Sequence, residues 1–401
     1  MLYDSDWQLE QVRSYRIAKG RDPSFVSDWD CDVPEFDILN SIVTAAIKPS
    51  IGRMLNYSYA EDQTAQREML AAYLNDVGRL PITVDEVSLA LNATNALYLC
   101  LTTLCSEGIN RFLVVTPAYY TVVETLLSAK VSIIFHHLCD CDDFAFDFGA
   151  IEGLIEEQHI QALILTDPIY SAGISVPVEC YRKLAEICAL HDVWLVCDHS
   201  LGGLHWKAPV ALIDFAKMRA LRIAPKSVFI DSLAKRLCLN GFKHAVIIGP
   251  GGLIRQVHDL ASRVSGGFCS TQIAVLDALY SKEHENALIQ YMDSNRKRIR
   301  DQYNLLAAAL CGTSFALYKS DTGHFSMICH TKARIRDVDT KNIVKHLLGE
   351  HGLYVLPSEH FYYYKDNRFG FRINLINEFS RLLPIICRAI TQDSDFLHNV
   401  C

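Results

Sequence analysis

The chain has 401 residues, half of them apolar and 21% charged, with a formal net charge of −8. That length allows two or three domains, or one large domain with a smaller companion, and needs neither disulfide nor metal to fold. The composition excludes a mainly disordered chain, and the absence of a long Lys/Arg run argues against nucleic acid as a partner. No run of 18 uninterrupted apolar residues predicts a membrane span. The acidic start MLYDSDWQLEQ lacks the basic and apolar regions of a signal peptide. The fourteen cysteines are scattered, several within apolar runs (Cys100, Cys105, Cys188, Cys197), as buried thiols in a reducing cytoplasm would be. A cytoplasmic protein is therefore expected.

Residues 1–50 read as a mixed acidic segment, irregular through DWDCDVPEFDILNS and helical from about Ile38. Apolar spacing at Met69, Leu70, Tyr73 and Leu74 predicts a helix over 64–78, with Gly78 as its C-cap. Strands and helices then alternate. Strands are expected at 87–92, 111–117, 131–137, 161–167, 193–198, 227–232 and 244–250, and helices at 93–105, 120–130, 148–158 and 178–192. Several strands are short apolar runs without clean alternation, as strands buried on both faces are. The fold class expected is α/β, a mostly parallel sheet with helices on both faces. From about residue 285 the pattern changes. A long polar helix over 285–310 precedes strand-like pieces near 325–330, a helix at 340–352, a strand at 370–376 and a last helix from Phe379. The expected layout is a large α/β domain over 51–285, a smaller α+β domain over 286–401, and a segment 1–50 packing with the small domain.

Ligands of open α/β sheets sit outside the carboxyl ends of the strands. Four strand ends carry informative residues. Asn92-Ala93-Thr94-Asn95 opens an apolar helix, so its N–H groups either bind an anion or are simply capped. Thr116-Pro117-Ala118-Tyr119-Tyr120 offers an aromatic ring for stacking or for the core. Asp198, at the end of VWLVCD, needs a cation if buried, either a salt-bridge partner or a protonated ring nitrogen. Ser232-Leu233-Ala234-Lys235 follows SVFID, and low polarity there would make Lys235 a usable amine nucleophile. Lys243, eight residues on, is a candidate counter-charge for phosphate.

The order and spacing of these groups resemble the fold-type-I pyridoxal-phosphate enzymes, specifically the class I/II aminotransferase family, over roughly residues 50–385. Ser232-x-x-Lys235 with Gly241-x-Lys243 is similar to the family's S-x-x-K-(x5)-G-x-R stretch around the Schiff-base lysine. The resemblance implies pyridoxal 5′-phosphate on Lys235, with Asp198 at the pyridinium nitrogen. It implies that Ala93 and Thr94 cup the phosphate with Lys243 in the place of its Arg, that Ser232 also binds the cofactor, that Tyr119 stacks on the ring, and that Tyr57 reaches the phosphate of a partner subunit. Val355-Leu356-Pro357 and Phe371-Arg372-Ile373-Asn374 resemble the family's v-l-P…R-[IL]-S, which implies that Arg372 grips a substrate α-carboxylate. The fold implied is a large cofactor-binding domain with a small α+β domain. The activity implied is amine transfer between an α-amino acid and a keto acid, in a homodimer with its active sites at the interface. A place in amino-acid metabolism or biosynthesis goes with it.

Several positions depart from the family pattern. Asn92 stands for the usual Gly, and Lys243 for the phosphate Arg. Asp167-Pro168-Ile169-Tyr170-Ser171-Ala172-Gly173 stands for N-P-x-N-P-T-G, so Tyr170 takes the place of the Asn that bonds the cofactor's phenolic oxygen. Leu201 replaces the Tyr of D-x-x-Y, and Tyr170 or His199 is left to substitute. These changes keep two alternatives open: elimination, replacement, cyclisation or oxidation of an amino acid in secondary metabolism, or a non-catalytic ligand-binding descendant. Elsewhere, His136-His137-Leu138-Cys139-Asp140-Cys141 has metal-ligand residue types but neither C-x2-C nor H-x3-H spacing, so a loop and no metal is expected. His324 in a turn, and Tyr362-Tyr363-Tyr364, are candidates for the substrate side or for packing.

Overall fold

The computed structural model describes residues 5–31, 33, 37–56, 63–377 and 379–392. Tyr57 lies outside them. The strands are β1 (Ser24–Phe25), β2 (Val87–Ala90), β3 (Arg111–Thr116), β4 (Ser132–His137), β5 (Ala162–Thr166), β6 (Trp194–Asp198), β7 (Ser227–Asp231), β8 (Ala245–Ile248), β9 (Phe315–Leu317), β10 (Phe325–Arg334), β11 (Leu353–Tyr354) and β12 (Arg368–Asn374). Seven form one sheet in the order β2-β8-β7-β6-β5-β3-β4. The ladders from β7 through β6, β5 and β3 to β4 are parallel, and β8 alone is antiparallel to both of its neighbours.

The strand sequences explain why this sheet sits at the centre. Leu113, Leu163, Leu195, Phe229 and Val246 face one core, and Phe112, Ile164, Val196, Ile230 and Ile247 face the other. Successive residues point to opposite faces, so both faces must be apolar where both are covered. Helices Ala93–Ser106 and Gly251–Val264 bury Leu97, Leu101, Ile254 and Val257 against the second face. Helices Phe148–Glu157 and Val178–Leu190 bury Ile151, Ile155, Leu184 and Cys188 against the first. The expected mostly parallel sheet with helices on both faces is what the chain forms.

Some elements were not legible. Helices Ser5–Lys19, Phe215–Leu221, Gly251–Val264 and Ser270–Leu279 were not anticipated, and the strand near 325–330 extends to Arg334. The register of β10 shifts between Cys329 and Arg334, so its two exposed residues Thr331 and Lys332 broke the apolar run.

The later strands form a three-stranded antiparallel sheet, β12-β10-β9. The N-terminal segment is tied to this part of the chain. β1 pairs in parallel with β11, the Ser27 hydroxyl donates to the Arg372 carbonyl, and it accepts the Leu356 N–H at 3.0 Å. Among the described residues no helix is long and apolar enough to cross a membrane.

Candidate active site

The ends of β2, β3, β5, β6 and β7 converge on one rim of the large sheet. β8 runs the other way, so its amino end, Lys243-His244, reaches the same rim. Register fixes this meeting, since Ala90 and Asp231 lie opposite Ala245 and Val246. Between these ends is a cavity of about 390 Å3, lined among others by Ala93, Thr94, Tyr119, Tyr170, Asp198 and Lys235. Ser232 and Lys243 also line it. Apart from Tyr57, every cofactor-side residue expected from the sequence therefore faces one space. Arg372 faces the adjoining cavity, which shares Trp29, Tyr120 and Tyr170 with the first.

Each group is held locally. Asn92 caps helix Ala93–Ser106, its side chain accepting the Asn95 N–H at 2.8 Å, a contact worth about 1 kcal/mol. Its φ of −170° is extended backbone, so this position places no demand for glycine. The helix presents the free N–H groups of its first turn to the cavity, where an anion is favoured. The Thr94 and Tyr119 hydroxyls lie 2.9 Å apart, which sets the Tyr119 ring beside Tyr170, with centroids 5.2 Å apart. The Ser232 hydroxyl donates to the His244 carbonyl at 2.8 Å and so pins the start of β8 to the end of β7.

Lys235 lies in a short helix, Leu233–Arg236, with its Nζ 4.0 Å from the Trp29 ring centroid. Burial, with the Lys243 charge adding to it, pushes its pKa down to about 8. The reactive form is the neutral amine. Its rate of imine formation with a pyridoxal aldehyde should therefore rise with pH, reach half its maximum near pH 8, and level off above. Borohydride trapping with mass spectrometry measures this. A half-maximum near the ordinary lysine value of 10.5 would overturn the assignment.

Asp198 is 2% exposed and raised by burial, against two bonds from Ser200, the N–H at 3.1 Å and the hydroxyl at 2.6 Å. Behind it lies a buried polar layer built at the carboxyl ends of β5, β6 and β7 and on the helices Phe215–Leu221 and Leu233–Arg236. His199 is sandwiched between Asp167 and Asp231, each 3.5 Å from one of its ring nitrogens. Lys217 pairs with Asp167 and Arg236 with Asp231. Burial alone would raise both carboxyls, but these cations hold them below the usual range. Gly203, at φ +85°, lets the chain turn where a Cβ would strike the Arg236 side chain at 2.3 Å. Asp167 is thus spent on this layer, bonding also Val176 N–H and the Tyr181 hydroxyl, and it does not line the cavity. His199 belongs to the layer too, which leaves Tyr170 as the nearer candidate for the missing donor. Leu201 presents an apolar side chain to the cavity.

Arg372 is 1% exposed, stacked between Phe325 at 4.2 Å and Phe361 at 4.9 Å. Its guanidinium donates to the Ser27 carbonyl and lies beside the Tyr170 hydroxyl and the Asp28 charge, while its Nε has no hydrogen-bond partner in the protein. A planar cation with an open edge in an apolar box is suited to a carboxylate.

The structure also places what sequence reasoning missed. Trp29 bridges Lys235 and Arg372 from an irregular segment that gave no signal. His244 lines the cavity with both ring nitrogens unbonded, and burial pushes its pKa down to about 4. His324 is buried behind the site near Cys238. Tyr362 lines the second cavity, while the Tyr363 hydroxyl donates to the Tyr170 carbonyl at 3.1 Å. In the loop after β4, Asp140 pairs with Arg334 and Arg368, and the Cys139 and Cys141 sulfurs lie 2.6 Å apart. Among the described residues no group of three or more His, Cys, Asp or Glu is placed to hold a metal.

The family model for aminotransferase class I and II matches residues 26–384. The chain belongs to this family. It is similar to the arginine–pyruvate transaminase AruH of Pseudomonas aeruginosa, 22% identical over 88% of this chain and 86% of that protein. It is also similar to the cystathionine β-lyase PatB of Bacillus subtilis, 23% identical over 68% and 69% of the two chains. The fold matches that of a Thermus thermophilus aspartate aminotransferase double mutant with a TM-score of 0.79, at 16% identity over 97% of each chain. Proteins of the class I and II aminotransferase family are enzymes that depend on pyridoxal phosphate.

Proposed function

We propose that this protein is a pyridoxal-phosphate-dependent aminotransferase that moves an amine between an α-amino acid and a keto acid. One observation carries the reading. A lysine amine with its pKa lowered to about 8 shares a cavity with a buried carboxylate and a helix N-terminus. Those groups fit an aldehyde, a protonated ring nitrogen and a phosphate in turn. When bound, the cofactor supplies an electron sink for the bond broken at the substrate's α-carbon.

The protein's share is binding, orientation and proton transfer. Lys235 would hold the cofactor through its aldehyde, and its amine is placed to serve as general base for the α-proton. Asp198 keeps the ring nitrogen protonated. Ala93 and Thr94 offer N–H groups to the phosphate, Ser232 borders it, and Lys243 adds charge without a bidentate fork. Tyr119 and Tyr170 wall the ring, and Tyr170 is the candidate donor to the phenolic oxygen. Arg372 fixes the α-carboxylate and thereby the angle of the scissile bond. On this reading residues 51–285 hold the cofactor, and the small domain over 286–401, with residues 1–50, closes the substrate side. The family resemblance supports a cytoplasmic homodimer in which Tyr57 of the partner subunit completes the phosphate site.

The test is a near-visible absorption spectrum of the protein with pyridoxal phosphate, before and after a pool of amino acids and then of keto acids. A Lys235-dependent band that converts to the pyridoxamine form and returns with keto acid is the expected result. Ammonia release without that conversion would replace amine transfer by elimination. Arg372→Lys should lower kcat/KM for amino acids by about 10²-fold, since it removes the fork and the stacking at once. A change of less than threefold would remove Arg372 from the carboxylate site.

A further inference from the structure

The second cavity, of about 510 Å3, begins at the wall of Trp29, Tyr120 and Tyr170 and contains Arg372 at its inner end. Its charge balance is uneven. Among the described residues lining it, Arg372 is the one Lys or Arg, against two carboxylates, Asp28 and Glu124. His360 adds no charge near neutral pH, because burial and the Arg372 charge push its pKa down to about 4. Glu124 lies one helical turn beyond Tyr120, on the same face of helix Tyr120–Ser128, and hydrogen-bonds the Tyr362 side chain. Asp28 accepts the Asn377 amide at 2.8 Å and a longer bond from Asn374. Burial, with the Asp30 charge adding to it, pushes it up to about 6, although the Asn374 bond and the Arg372 charge pull it back.

An amino acid with a neutral side chain would engage Arg372 through its carboxylate and bring no second cation to the half-buried Asp28 or to the solvent-exposed Glu124. A side chain carrying its own cation would neutralise them, and the aromatic walls add favourable cation–π contact. The open Nε of Arg372 marks where the ligand's carboxylate begins. Resting on the aminotransferase reading, we propose that this cavity takes the side chain of a cationic amino acid, a guanidinium or terminal amine, with Glu124 and Asp28 as its counter-charges.

The test uses the protein loaded with pyridoxal phosphate and pairs of matched substrates. L-arginine should exceed its neutral isostere L-citrulline in kcat/KM by at least about tenfold, and L-lysine should exceed L-norleucine likewise. Glu124→Gln should narrow the arginine-to-citrulline ratio by about tenfold, with the Lys235 absorbance reporting that the variant is folded. A second measurement does not depend on turnover. In calorimetry, 5-guanidinopentanoate, which lacks the α-amine, should bind about tenfold tighter than 5-ureidopentanoate. Equal use of citrulline or norleucine, or a preference for L-phenylalanine, with the Lys235 absorbance intact, would overturn this inference and leave the aminotransferase reading standing. Failure of the absorbance to form would overturn both.

Discussion

Lys235→Ala should lower turnover by at least about 10³-fold and abolish covalent attachment of pyridoxal phosphate, with the near-visible band shifting to that of the free aldehyde. The amine has two tasks, as the nucleophile that holds the aldehyde and as the base for the α-proton, and proton transfer alone commonly contributes about 10²–10⁴-fold. The fold should survive. In the native state the Lys235 pKa is about 8, against an ordinary 10.5. Between those values the unfolded chain binds more protons, so stability rises with pH, and at pH 7 the charged amine is a burden on the fold. Its removal should leave the thermal midpoint unchanged or slightly higher. Steady-state kinetics, the absorption spectrum and a thermal melt together decide the matter. A variant that turns over substrate at the native rate would dismiss Lys235 from the mechanism.

Asp198→Asn should lower kcat by about 10²–10³-fold while covalent attachment at Lys235 persists. Asparagine keeps the shape and an oxygen to accept the two Ser200 bonds, so what it removes is charge. Removing one partner of a buried ion pair costs about 3–5 kcal/mol, because the other charge is left in a poor medium. Here the other charge would be the protonated ring nitrogen. A borohydride-trapped adduct of unchanged yield, beside a kcat reduced by less than tenfold, would show that Asp198 is structural.

Much of the candidate site was legible because its residues are local to strand ends. Ser232 to Lys243 is one contiguous stretch that joins β7 to β8 through the short helix Leu233–Arg236, and Asp198 closes its own strand, so residue type and strand end coincide. The alternation of strands and helices gave the sheet for the same reason. What escaped was non-local or conditional. Trp29 reaches Lys235 across about two hundred residues of sequence, and no pattern within DWDCDVPEFD foretells it. The reversal of β8 was hidden because an apolar run such as AVII has no direction. Asp167 illustrates a third obstacle. It stands in the family's Asn position, yet Lys217 and Tyr181, both on helices, draw its carboxyl into the layer behind the site. Helix Gly251–Val264 was missed because two glycines open it, and they read as a turn.

The Ser27 and Trp29 contacts with Arg372 impose an order on how the site is completed. These partners are about 345 residues apart, and the Ser27 pairings join the first tenth of the chain to its last. During synthesis the early segment emerges long before the strand it must meet. Contacts of such separation are expensive to close and form late. The Arg372 side of the second cavity is therefore finished only when the last strand is released, and a chain halted short of Arg372 would leave Ser27 and Trp29 without that partner.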